Sequence, residues 1–166
     1  MNHIKSYFLF EGVVLAENLA AEARKYKSAE EFVKAQRLVY HGSSTKLKKF
    51  DKRGTFFTDD YMNADGYANG GDNVYEGYIN FKNPLVIDAK GRMWNDLETP
   101  YGASTQEVVG NVDSKKFDGV IFKNIKDSWM DDADFQDPST VYYAFDPTKT
   151  FLNRDQLIDL FNRTKK

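Results

Sequence analysis

The chain has 166 residues, 41% of them hydrophobic and 15% aromatic, which is enough for a compact core. Its 23 basic residues stand against 25 acidic ones, and a net charge of −2 leaves no electrostatic case for nucleic acid as a partner, because phosphate binding calls for a basic excess or stripe. There is no cysteine, so disulfides, thiol nucleophiles and cysteine-held zinc are excluded.

The apolar stretch Gly12 to Ala16 is far too short for a bilayer, and no basic region with an apolar core and a small-residue cleavage site precedes it. The expectation is a soluble, cytoplasmic protein with no membrane partner.

Val14, Leu15, Leu19 and Ala23 recur near one or two helical turns, with charged residues between them, and predict a first helix. Ser28-Ala29-Glu30-Glu31 is a capping-box sequence ahead of a second, short helix carrying Phe32 and Val33. Leu38-Val39-Tyr40 then reads as a strand ending at His41-Gly42. Lys46 to Phe50 reads as a loop, and Gly54 to Thr58 as a second strand. Asp59 and Asp60 are suited to cap a short helix through Tyr61, Ala64 and Tyr67. Asn69 to Asn73 reads as a turn or loop.

Val74 to Phe81 reads as a strand, Asn83-Pro84 breaks it, and Leu85 to Asp88 resumes as another. Lys90 to Asp113 is poorly patterned, apart from a cap-like Ser104-Thr105-Gln106-Glu107 that predicts a helix to about Val109. Phe117 to Phe122 is a strand, Asp127 to Asp137 an acidic loop, and Thr140 to Phe145 a last strand stopped by Pro147. Asn153-Arg154-Asp155-Gln156 caps a terminal helix bearing Leu157, Ile158, Leu160 and Phe161.

Helices gather at the ends and short strands fill the middle, a pattern of the α+β class. The expected organisation is one domain over 1–166, with a helical region at 1–36, a core at 37–150 and a C-terminal helix at 151–166. No G-x-G-x-x-G follows a strand, so a doubly wound dinucleotide fold has no support.

Histidine supply limits the chemistry. Only His3 and His41 are present, so no multi-histidine metal site is expected, and no G-x-S-x-G elbow exists. Taken alone, His41 reads as a turn histidine with a local hydrogen bond. The five aspartates of the acidic loop lack the glycine and terminal glutamate of an EF-hand. Trp129 and Phe135 in that loop are possible anchors for a protein partner.

The ordered set Tyr40-His41-Gly42-Ser43, Gly54 to Asp60, Ala64-x-x-Tyr67-Ala68, Tyr75 to Phe81 with Asn83-Pro84-Leu85, Phe117 to Lys123 and Val141 to Pro147 resembles the ADP-ribosyltransferase superfamily. The branch is the one with a His-Tyr-Glu triad, and the nearer resemblance is to such domains in phage and mobile-element polyvalent proteins. It implies an ADP-ribosyltransferase-like fold of two small, packed, mainly antiparallel sheets around an NAD cleft, flanked by N- and C-terminal helices. NAD is then the substrate. His41 is implied to hydrogen-bond a ribose hydroxyl, Gly42 and Ser43 to hold the carboxamide, and Tyr67 to stack on the nicotinamide. Phe56 or Tyr61 would close the other side, and Thr58 matches the hydroxyl residue that ends the second strand.

In that superfamily a glutamate at the start of the last core strand stabilises the oxocarbenium-like transition state. Here the matching stretch is Pro138-Ser139-Thr140-Val141-Tyr142, with no acid. Three outcomes follow: an aspartate of the acidic loop (Asp137, Asp134 or Asp132) substitutes, Glu76 enters from its strand, or the domain does not catalyse. The implied function is NAD-dependent mono-ADP-ribosyl transfer to a macromolecular acceptor, a host protein in the case of a phage or mobile-element effector. The alternative is a degenerate binding module of the same fold.

Overall fold

The computed structural model describes residues 19–69, 73–127 and 136–166. Val14, Leu15, His3, Trp129, Met130, Asp132, Asp134 and Phe135 lie outside the described residues. The chain divides into two compact units, Met1–Arg37 with Leu152–Lys166, and Leu38–Phe151. Among the described residues no helix is long and apolar enough to cross a membrane.

The smaller unit is helical. Residues 19–23 form a turn of helix in which Leu19 and Ala23 are buried. Helix α1, Ala29–Lys34, starts where the Ser28 side chain accepts the Glu31 N–H. The glutamate does not close the box on Ser28; its carboxylate takes the Lys27 N–H at 3.0 Å instead. The terminal helix Arg154–Thr164 (numbered α5 below) begins with the full reciprocal box between Asn153 and Gln156. Its buried Leu157 and Phe161 follow the four-residue spacing of a helix face, and Phe161 stacks on Phe32 with centroids 6.0 Å apart.

The larger unit carries the sheet. In chain order its elements are β1 (Arg37–Gly42), β2 (Thr55–Thr58), α2 (Tyr61–Tyr67), β3 (Val74–Ile79), β4 (Pro84–Asp88), α3 (Thr105–Asn111), β5 (Gly119–Ile125), β6 (Ser139–Ala144), the single turn α4 (Pro147–Thr150) and β7 (Phe151–Leu152). The strand order is β4-β5-β6-β2-β1-β3-β7. The expected pair of sheets is therefore one seven-stranded sheet. Its β1–β2 junction is antiparallel with Tyr40 opposite Thr58, whereas β2 runs against β6 over four residue pairs from Thr55 with Ala144 to Thr58 with Val141. Strand β6 also runs antiparallel to β5, whereas β4 and β5 run parallel from Pro84 with Gly119 to Asp88 with Lys123.

Two residue pairs singled out in the sequence explain each other here. The Asp118 carboxylate accepts the Lys82 N–H at 2.6 Å and the Asn83 N–H at 3.1 Å, and the Asn83 side chain donates to the Lys116 carbonyl at 2.8 Å. The Asn83-Pro84 break and the Asp118-Gly119 strand entry thus tie β4 to β5 before the parallel ladder begins. Their role is structural.

Strand β5 is buried at its first four residues and at Ile125, as an interior strand covered on both faces, and its apolar run lacks a clean alternation for that reason. One face packs Val120, Phe122 and Ile125 with Val141, and with Val108 and Val112 of α3 and its exit. The other packs Ile121 with Phe57, Val39, Ile79, Tyr142 and Ala144. Each such buried side chain contributes roughly 1.5–3 kcal/mol relative to exposure.

Candidate active site

A cavity of ≈ 200 Å³ opens in the larger unit where β1, β2 and β6 meet α2 and the start of α3. It is lined by residues 40–42 of β1, 56–58 of β2, Ala64 and Tyr67 of α2, Thr105 and Gln106 of α3, Asp127 and Val141. Residues from six separate stretches of the chain meet there.

His41 is the last but one residue of β1, and its ring packs against Phe50, 5.5 Å away, and Phe57, 5.7 Å away. The ring Nδ1 lies 2.8 Å from the Phe56 carbonyl. A carbonyl can only accept, so Nδ1 carries the proton and the neutral ring keeps Nε2 as a bare acceptor. Burial holds the imidazole below its ordinary value, opposed by that carbonyl bond. The ring is therefore neutral around pH 7.

Gly42 is required by packing. A Cβ there would lie 1.7 Å from the Ala64 carbonyl oxygen and 3.1 Å from the Ala68 nitrogen. Strand β1 and helix α2 touch backbone to backbone, which sets the distance between the histidine and the helix bearing Tyr67.

Helix α2 begins at Asp60, whose carboxylate accepts the Met62 and Asn63 N–H groups. Thr58 Oγ1 accepts the Asp60 N–H at 3.1 Å, so this hydroxyl lines the cavity while bracing the cap. One helical turn beyond Asn63, Tyr67 places its ring at the cavity with 43% exposure. Its hydroxyl donates to Asp127 Oδ1 at 2.9 Å. Burial pushes the phenol well above its ordinary value, and the Asp127 charge and hydrogen bond push it further. Burial also raises the Asp127 carboxyl, with the Tyr67 bond opposing it.

His41, Gly42, Phe56, Thr58 and Tyr67 all line the cavity, and Ser43 and Tyr61 do not. The Ser43 N–H donates to the Asn73 carbonyl and its hydroxyl accepts the Thr45 N–H, which commits it to the loop after β1. Tyr61 is 51% exposed and meets Tyr40 edge-on at 5.4 Å. Glu76 is exposed on β3, where alternation turns the neighbouring Gly77 inward, and Asp137 is exposed ahead of β6. Neither carboxylate lines the cavity.

In the stretch where the resemblance calls for a glutamate, Val141 lines the cavity and is 2% exposed. Thr140 is not among the lining residues, and its backbone N–H donates to the Asp59 carboxylate at 2.8 Å. Three polar lining residues escaped the sequence reading. Thr105 and Gln106 sit in the helix predicted from Ser104 and Glu107, but its approach to β1 is a long-range fact with no local signal. Asp127 was visible only as the first residue of an acidic loop. Its position just past the buried run of β5 was the available clue.

The sequence model of the family described as ADP-ribosyltransferase in polyvalent proteins matches residues 35–150. The chain belongs to that family, and membership supports a transferase. The match covers every residue that lines the cavity. No curated protein and no solved structure matches the chain significantly.

Proposed function

We propose that the cavity holds the nicotinamide riboside end of NAD and that the protein transfers the ADP-ribosyl group to a macromolecular acceptor, a protein. The supporting observation is the gathering of His41, Gly42, Phe56, Thr58 and Tyr67, spread over 27 positions of sequence, on one small cavity. Its volume lies below the ~300 Å³ at which sites for drug-sized ligands begin, so it accommodates one ring and a sugar rather than a whole dinucleotide. The half-exposed Tyr67 ring offers a stacking face. The His41 Nε2 lone pair accepts from a ribose hydroxyl.

In the transfer the bond between ribose C1′ and the nicotinamide nitrogen breaks, and its electron pair neutralises the pyridinium. Positive charge spreads over C1′ and the ring oxygen. A lone pair of the acceptor then forms the new bond at C1′, and the acceptor's proton passes to solvent. Stabilising the developing charge is commonly the largest catalytic contribution.

One observation favours the other reading, a binding module without catalysis: the apolar Val141 stands where the family resemblance calls for a glutamate. Incubating the full chain with labelled NAD and a bacterial lysate separates the two. The enzyme reading expects label on protein or release of nicotinamide; folded protein giving neither overturns it. If activity is found, His41→Ala is expected to remove most of it.

A further inference from the structure

We propose that Asp127 supplies the carboxylate that the last core strand lacks, approaching the reacting ribose from the end of β5. This rests on the NAD reading above and adds the catalytic acid to it. Asp127 is the only carboxylate among the described residues that line the cavity.

Its placement is built. The side chain is held through Oδ1 by the Tyr67 hydroxyl at 2.9 Å. The backbone is held by Gln136, whose Nε2 donates to the Asp127 carbonyl at 2.9 Å and to Asn63 Oδ1 at 2.7 Å. Asn63 and Tyr67 are one turn apart on α2, so they share a face of that helix. The helix that carries the stacking ring thus fixes Asp127 twice, once through its backbone and once through its carboxylate. Oδ2 has no hydrogen bond among the described residues. As the oxygen that Tyr67 does not bond, it is the one assigned to accept from a ribose hydroxyl and to face the positive charge at C1′.

The carboxylate forms no bond to carbon in this scheme. It stays ionised while the C1′–nitrogen bond breaks, and its negative charge is compensated as C1′ becomes positive. A low-dielectric, water-poor site strengthens that interaction. Asn63 and Gln136 are positioning residues. Tyr67 has two separable parts: its ring stacks, and its hydroxyl orients Asp127.

The test uses the full chain and NAD alone, with water as acceptor, reading nicotinamide release and, separately, NAD affinity by titration. Asp127→Asn keeps the shape and removes the charge. Its kcat is expected to fall about 10²- to 10³-fold with NAD affinity within about threefold of wild type. Tyr67→Phe keeps the ring and frees the carboxylate; NAD affinity is expected to persist while kcat falls about tenfold. If Asp127→Asn does not fold, Asp127→Glu and Tyr67→Phe carry the comparison, and a kcat unchanged in both overturns the proposal. A folded Asp127→Asn with wild-type kcat, or one that loses affinity and rate in parallel, also overturns it while the NAD reading stands. Wild-type protein that neither binds NAD nor releases nicotinamide overturns both.

Discussion

The contact between Gly42 and helix α2 allows a sharp test of how the cavity is held together. In Gly42→Ala the new Cβ would stand 1.7 Å from the Ala64 carbonyl oxygen. A carbon–oxygen contact needs about 3.3 Å, so strand and helix must separate by roughly 1.6 Å. The new Cβ is fixed rigidly to its own backbone and the oxygen it meets is backbone, so no rotamer change relieves the clash. Overpacking of this kind costs about 1–3 kcal/mol, and the backbone nature of the contact puts Gly42→Ala at the upper end. For a chain of this size each kcal/mol shifts the unfolding temperature by about 2–4 °C, so a drop of about 6–12 °C is expected in a thermal scan. The displacement also moves Tyr67 away from His41, and NAD affinity should fall at least about tenfold at temperatures where the variant remains folded. An unfolding temperature within about 2 °C of wild type, with NAD affinity unchanged, would refute the view that this contact sets the site.

Three further outcomes are expected. The folded-state value of His41 lies below the ordinary one, so its neutral form contributes stability that is present above the ordinary imidazole value and is lost as pH falls from there through the lower folded value. Between about pH 8 and about pH 5 the wild type should therefore lose more stability than His41→Asn, and parallel pH profiles would contradict the burial argument. Val141→Glu puts a second carboxylate into a cavity that already holds Asp127; denaturant titration should show a loss of about 2–3 kcal/mol, with no gain in nicotinamide release. Asn153→Ala removes the reciprocal box of α5 and should cost about 1 kcal/mol by the same titration, leaving NAD affinity unchanged.

Local chemistry made most elements readable in advance. Ser28, Asp60, Ser104 and Asn153 each accept the backbone N–H expected of a cap, because capping is decided within four residues of sequence. The strands from Leu38, Gly54, Val74, Leu85, Phe117 and Thr140 all exist, with ends shifted by a residue or more. Pairing was not readable in the same way. The parallel match of β4 with β5 depends on Asp118 reaching Lys82 and Asn83 across more than thirty residues. The site divided similarly. Five of the seven residues implied to hold NAD line the cavity, since they lie near one another on β1, β2 and α2. The carboxylate at the cavity was not legible: Asp137 and Glu76, reasonable by composition, are exposed and do not line it, whereas Asp127, held by Tyr67 and Gln136, does.

The hydrogen bond from the His41 ring to the Phe56 carbonyl also acts as a polarity filter. With Nδ1 occupied, the neutral ring has a single lone pair left, on Nε2, and no further proton to offer. A ligand group that can donate is welcomed there, while an ether or carbonyl oxygen would set lone pair against lone pair. A nucleotide whose sugar hydroxyl is replaced by a methoxy group should therefore be rejected on electronic grounds even where it fits. Protonating the ring would invert that preference, so acidification changes what the cavity selects as well as how well the protein holds together.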